Sequence, residues 1–161
     1  MARGSNLKRK EKAEVSAPPE LMFAELDSLL GYLLRRAQGA MHRDFMAAIA
    51  EFALTQKQVA TLWLIHANPG VSQVDVAAAL GMDRATMMSL IDRLEDRGFV
   101  IRKRSSTDRR RQELYLTPAG QSTLRKCKTR IAEHEERFAA LFTGAELQSL
   151  LEALKRFQNF G

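Results

Sequence analysis

Ile101-Arg102-Lys103-Arg104-Ser105-Ser106-Thr107-Asp108-Arg109-Arg110-Arg111 lies between an amphipathic helix pattern and a strand-like run that ends in Thr117-Pro118. Six of its residues are Arg or Lys and one is Asp, a net +5, while the whole 161-residue chain carries +6. Nearly all the positive excess is gathered in one short segment. A basic tip beside a helix suits a polyanion, so nucleic acid is the first partner to consider. The flanks Phe99-Val100-Ile101 and Glu113-Leu114-Tyr115-Leu116 read as strands. Together with the polar stretch between them they predict a hairpin with a long tip.

Two short helices precede the hairpin. Ser72-Gln73-Val74-Asp75 is a helix start signal, and Gly81 ends the helix that runs to Leu80. Asp83 caps the next helix, which runs to about Arg97, with Gly98 as its stop. Met87, Leu90, Ile91 and Leu94 fall at i, i+3, i+4 and i+7 and define one buried face. The other face carries Arg84, Ala85, Thr86, Met88, Ser89, Asp92 and Arg93. Small residues at 85 and 89 admit a close neighbour. Arg84 and Arg93 can reach guanine edges or phosphates, Thr86 and Ser89 can bond either, and Met88 can touch a thymine methyl or sit at the rim. A helix pair joined by a glycine turn and followed by strand–loop–strand is the winged helix-turn-helix layout.

Outside this region the pattern is helical. Residues 1–20 are polar, end near Pro18-Pro19, and read as a disordered tail. Leu21 to Phe52 is expected to be one helix, with a leucine stripe at Leu26, Leu29, Leu30, Leu33 and Leu34 that needs a partner surface. Thr55-Gln56-Lys57-Gln58 is a capping-box match that opens a helix stopped by Asn68-Pro69-Gly70. Thr117-Pro118 opens another helix and Thr143-Gly144-Ala145-Glu146 a last one. The fold class is therefore mainly α (α+β), with about six helices and a β-hairpin wing. The expected division is 1–20 tail, 21–53 N-terminal dimerisation helix, 54–117 DNA-binding domain and 118–161 C-terminal dimerisation helices.

Other chemistries find little support. One cysteine, Cys127, permits no intrachain disulfide, and its place on an apolar stripe favours an inert buried thiol over a redox sensor. His42, His66 and His134 have no metal-ligand spacing, and no metal or cofactor is expected. There is no phosphate-cradling glycine loop, nucleophile elbow or zincin pair, which argues against an enzyme. No apolar run reaches the roughly 18–20 residues of a bilayer span, and no signal-peptide core follows the basic N-terminus. A cytoplasmic protein without a membrane partner is expected.

The stretch Gly81-Met82-Asp83-Arg84-Ala85-Thr86 through Gly98-Phe99-Val100, then Arg102, Asp108-Arg109-Arg110 and Leu116-Thr117-Pro118-Ala119-Gly120, resembles the MarR family of bacterial transcription regulators. The likeness runs over about residues 25–160. It implies a homodimer with interlocked first and last helices and one winged helix-turn-helix per subunit. It also implies a pseudo-palindromic double-stranded DNA site, usually repression, and release by a small, often aromatic or phenolic effector. On this likeness Arg84, Thr86, Ser89 and Arg93 fall on the recognition helix, and Asp108 and Arg110 on the wing's paired acid and base. Asp108 would organise the wing, and any of Arg109, Arg110 and Arg111 can be the one that enters the minor groove.

The same likeness puts an effector pocket between the dimerisation helices and the DNA-binding lobe. Candidates are Tyr32, Arg36, His42, Arg43, Phe45, Met46, Trp63 and His66, with Arg35 nearby. Arg36, His42 and Arg43 can receive a carboxylate or phosphate, while Phe45 and Trp63 can face a ring. This set suggests an aromatic acid or its coenzyme A thioester. The plainer reading makes the arginines surface charges and Trp63 part of the core. A ligand-independent architectural DNA- or RNA-binding protein is the alternative function.

Overall fold

The computed structural model describes residues 21–105 and 112–158. Asp108, Arg109, Arg110 and Arg111, and the tail expected over 1–20, lie outside the described residues. The described helices are α1 (Leu30–Ala48), α2 (Gln56–Ala67), α3 (Gln73–Ala79), α4 (Arg84–Asp96), α5 (Pro118–Ala139) and α6 (Gly144–Gln158). The strands are β1 (Val71–Ser72), β2 (Val100–Arg104) and β3 (Gln112–Leu116). They form one antiparallel sheet in the order β1-β3-β2. The chain divides into two units, residues 1–35 and 36–161.

In the first unit the single helix expected from Leu21 is interrupted. Ala24–Ser28 is a 3-10 turn, and Leu29 is extended at φ −74° and ψ 122° before α1 begins. The Ser28 hydroxyl donates to the Glu25 carbonyl at 2.8 Å, a local bond that competes with helical continuation. Leu21, Met22, Phe23, Leu26, Leu29, Leu30 and Leu33 are all exposed. Helical stability comes mainly from packing an apolar face, and here no packed face carries the helix through Leu29. Phe23 and Tyr32 stack in a tilted pair at 6.2 Å.

In the second unit the C-terminal limit of α1 also falls short of Phe52. Ala50–Phe52 is a 3-10 turn and Ala53 is left-handed at φ 47°. Arg97 holds this link: its guanidinium donates to the carbonyls of Ala53 and Phe52, each at 2.7 Å. α2 then opens on the expected capping box, with Gln58 N–H donating to Thr55 Oγ1 at 3.2 Å and Thr55 N–H to Gln58 Oε1 at 2.9 Å.

Ile49, Leu62, Ile65, Val76, Met87, Ile91, Leu94, Val100, Leu114 and Leu124 are buried in one core. Each large side chain there contributes about 1.5–3 kcal/mol. α4 ends as its sequence predicts: Gly98 sits at φ +69°, its N–H donates to Glu95 O at 2.8 Å, and Phe99 N–H donates to Leu94 O at 2.9 Å. That pair of bonds is a Schellman cap, which favours glycine at this position. The chain returns to the same place at the start of α5. Thr117 N–H donates to Phe99 O at 3.0 Å, and the Thr117 hydroxyl donates to Gly98 O at 2.6 Å while accepting from Gly120 N–H at 3.0 Å. A Cβ on Gly120 would lie 2.1 Å from Phe99 O, so only glycine fits there. The Leu-Thr-x-x-Gly run thus closes α5 onto the end of α4.

Candidate nucleic-acid interface and ligand cavity

Burial of Met87, Leu90, Ile91 and Leu94 turns the opposite side of α4 outward. Arg84, Ala85, Thr86, Met88, Ser89, Asp92 and Arg93 are all exposed, as the helical spacing predicts. Arg84 and Arg93 form no ion pair among the described residues, so both guanidiniums are free to meet an anion. A groove of about 450 Å³ runs beside this face, between the first turn of α2 and α4. Lys57, Thr86, Ser89 and Arg93 line it. A second, more apolar groove of about 370 Å³ is bounded by Val74, Arg84, Ala85 and Met88.

The cap of α4 sets the chemistry of Thr86. Asp83 Oδ1 accepts from Thr86 N–H at 2.8 Å, and Oδ2 accepts from the Thr86 hydroxyl at 2.6 Å. The side-chain bond from Thr86, followed by the backbone bond, holds the Asp83 carboxyl below its ordinary value. With its proton committed to Asp83, Thr86 Oγ1 meets an incoming group as an acceptor. An amino group on a base edge suits it; a phosphate oxygen does not.

β2 and β3 pair from Val100↔Leu116 to Arg104↔Gln112, which forms the expected hairpin. The sequence motif includes Arg102 but carries no local signal of its partners, which lie on α4. Arg102 Nη2 donates to Asp92 Oδ1 at 2.5 Å, and Nη1 pairs with Glu95 Oε2. Glu95 also accepts from the Arg102 backbone N–H at 3.3 Å. The hairpin is therefore stapled to the helix beside it. On the far strand Tyr115 donates to Glu113 at 2.8 Å, a bond that raises the phenol above its ordinary range, and Lys103 lies 5.0 Å over the Tyr115 ring.

Away from this face, Phe45 of α1, Val59, Ala60 and Trp63 of α2, Leu80 after α3 and Ile131 of α5 line an apolar cavity of about 410 Å³. Gln56 is its polar member, and its Oε1 lies 3.2 Å from His42 Nδ1. Of the candidate effector residues, Phe45 and Trp63 are brought together here. Met46 is half-buried against the core. Arg36, His42 and Arg43 are exposed and do not line the cavity, and Tyr32 belongs to the first unit. The cation nearest the ring is instead Lys128, whose Nζ lies 4.4 Å from the Trp63 centroid. His66 lines a smaller neighbouring groove with Gln121, Leu124, Arg125 and Lys128.

His134 is buried, edge-on to Phe45 at 5.7 Å and to Phe138 at 5.1 Å. Its Nδ1 lies 2.6 Å from Asp44 Oδ2, which also accepts from Arg137 at 2.6 Å. These two partners, His134 first, hold the Asp44 carboxyl below its ordinary value. Among the described residues, no three His, Cys, Asp or Glu side chains are grouped to hold a metal ion. Burial, with the nearby Glu51 charge, pushes the Cys127 thiol up to about 11. Among the described residues, no helix is long and apolar enough to cross a membrane.

Residues 52–111 match the sequence pattern of the MarR family. A Thauera aromatica protein named for transcriptional regulation of the hcr operon is 33% identical over 92% of this chain and 90% of its own length. The transcriptional repressor CouR bound to a 23-mer DNA duplex superposes with a TM-score of 0.83 at 39% identity, over 87% of this chain and 99% of that one. CouR bound to p-coumaroyl-CoA superposes with a TM-score of 0.78 at 37% identity, over 86% and 98%. The likeness thus takes in the winged helix of α3, α4 and the β2–β3 hairpin and extends over 87% of the chain, and the protein belongs to the MarR family of transcriptional regulators.

Proposed function

We propose that this regulator is a homodimeric repressor that binds a pseudo-palindromic DNA site and is released by an aromatic acid or its coenzyme A thioester. The observation that carries the DNA reading is the outward face of α4. Two guanidiniums, Arg84 and Arg93, with no ion pair among the described residues, flank the small residues Ala85 and Ser89 beside a stapled hairpin. The reading assigns base contacts to Arg84, Thr86, Met88, Ser89 and Arg93, and phosphate or minor-groove contacts to Arg109, Arg110 and Arg111, with Asp108 as organiser. Residues 54–117 are the DNA-binding domain, and 21–53 and 118–161 supply dimerisation. Exposed Leu150, Leu151, Leu154 and Phe157 on α6 support that division, because a soluble helix seldom leaves such a stripe open to water. The protein acts in the cytoplasm and is not an enzyme.

The effector reading rests on the apolar cavity at Phe45 and Trp63, whose volume suits one aromatic ring and its substituents. It is supported by the p-coumaroyl-CoA bound to CouR.

The test is anisotropy of labelled duplexes taken from upstream of the protein's own gene, over a salt series. Expected are tight binding with a strong sequence preference, a steep fall with salt, and release by p-coumarate or p-coumaroyl-CoA. Arg110→Ala should weaken binding to all duplexes, and Ser89→Ala should relax the preference. Tight binding with no sequence preference overturns the repressor reading, and release by neither compound overturns the effector assignment.

A further inference from the structure

Among the described residues, the apolar cavity is lined by one polar side chain, Gln56, and by no cation. A free carboxylate bound there would have no cationic partner within the cavity, and a buried unpaired charge is costly. The cations stand next door, along the same seam between α2 and α5. Lys128 lines the groove of about 220 Å³ beside the cavity and lies over the ring of Trp63, a cavity residue, so the two sites adjoin there. That groove carries His66 from α2 and Arg125 and Lys128 from α5. Arg125 and Lys128 stand at i and i+3, where like charges repel on a helix. Neither forms an ion pair among the described residues. The contrast is Arg130, two residues on, which is neutralised by Glu51 at 3.1 Å and Glu133 at 3.2 Å. From Ile131 in the cavity to Gln121 at the far end of the groove, α5 spans about 15 Å, room for a linker between a ring and an anionic group.

We infer that the His66–Arg125–Lys128 groove binds the phosphates of an aryl thioester of a phosphorylated carrier such as coenzyme A, whose ring occupies the adjoining cavity. This rests on the effector reading above and deepens it: the seam selects the thioester over the free acid. The aryl end enters between Phe45 and Trp63, Lys128 bridges the two sites, and the phosphates neutralise the repelling pair on α5. Charge-assisted bonds to phosphate are the strongest available in such a groove. No bond is made or broken; the selection is by binding alone.

Calorimetry on the full-length protein with p-coumaroyl-CoA, p-coumarate and coenzyme A tests this. Expected is a thioester affinity well above that of the acid, falling with salt, with the acid's affinity nearly salt-independent. The double variant His66→Gln/Arg125→Gln, whose residues line the groove and not the cavity, should weaken thioester binding roughly tenfold or more. It should leave p-coumarate binding in place, which also reports an intact fold. Lys128→Arg should retain the wild-type preference. Equal wild-type affinities for acid and thioester, or a double variant that binds the thioester as wild type does, overturn the inference and leave the effector reading standing. A double variant that loses operator DNA instead of thioester also overturns it, because the groove would then serve the duplex. Binding of none of the three probes removes the effector reading and the inference together.

Discussion

Arg102 on β2 and Asp92 on α4 are joined at 2.5 Å across ten residues of sequence, with Glu95 as a second carboxylate on the same guanidinium. The pair fixes where the hairpin stands relative to the helix that precedes it. An arginine fork between two carboxylates is specific in angle as well as distance. Arg102→Gln should therefore lower unfolding stability by about 1–2 kcal/mol. It should also weaken DNA binding, although the Arg102 side chain is largely covered and points at the protein. Urea denaturation and duplex anisotropy on the same sample check both. Unchanged stability with lost DNA binding would place Arg102 against the duplex instead.

Gly120→Ala is expected to be far worse than its one methyl suggests. The new Cβ would meet the Phe99 carbonyl at 2.1 Å, and backbone must move to relieve it. Overpacking of this kind costs about 1–3 kcal/mol or more. Thermal unfolding should show a large drop in midpoint, or the soluble yield should collapse. Ala119→Gly, one residue earlier and exposed, serves as the comparison and should cost about 1 kcal/mol or less.

Acid sensitivity should trace in part to Asp44. His134 and Arg137 hold its carboxyl below the ordinary 3.8. A carboxyl whose folded pKa is depressed adds stability that is complete above the unfolded value and is lost as pH falls through the folded one. The loss due to Asp44 therefore lies below 3.8, and its contribution is intact at neutral pH. Urea midpoints measured from about pH 6 to pH 2 should fall less steeply at the acid end for Asp44→Asn than for wild type. Parallel curves for the two proteins would remove Asp44 from the acid transition.

Cys127 should be silent toward thiol reagents in the folded protein. Its side chain is fully buried, and its thiol is pushed up to about 11, so little thiolate exists at neutral pH. A disulfide reagent added to native protein should react slowly, and quickly once guanidinium unfolds the chain. Fast stoichiometric reaction in the native state would reopen a redox role.

Local signals were readable and long-range ones were not. The caps at Thr55, Ser72, Asp83 and Thr117 form as the sequence predicts, because each uses a side chain and an N–H three residues away. Gly98 was legible for the same reason. The buried face of α4 followed from spacing alone, and with it the outward set from Arg84 to Arg93. By contrast, the break at Leu29 depends on what the leucines of residues 21–33 pack against, which their own spacing does not encode. The Arg102 staple joins residues seven and ten apart on different elements, and β1 is only two residues long. The cationic candidates Arg36, His42 and Arg43 share a helix with Phe45, yet only Phe45 turns into the cavity. Which side of α1 is covered is decided by α2 and α5, so helix periodicity could not separate them.

The closure of Thr117 and Gly120 onto Gly98 and Phe99 has a mechanical meaning. It makes a stiff knuckle between the end of α4 and a helix of 22 residues. Ile131, in the cavity wall, stands roughly 20 Å along that arm from Thr117. A sideways displacement of about 2 Å at Ile131 amounts to a rotation of roughly 6° at the knuckle. Through two backbone carbonyls and one hydroxyl, a lever that ends at the apolar cavity wall is geared to α4 and its exposed face.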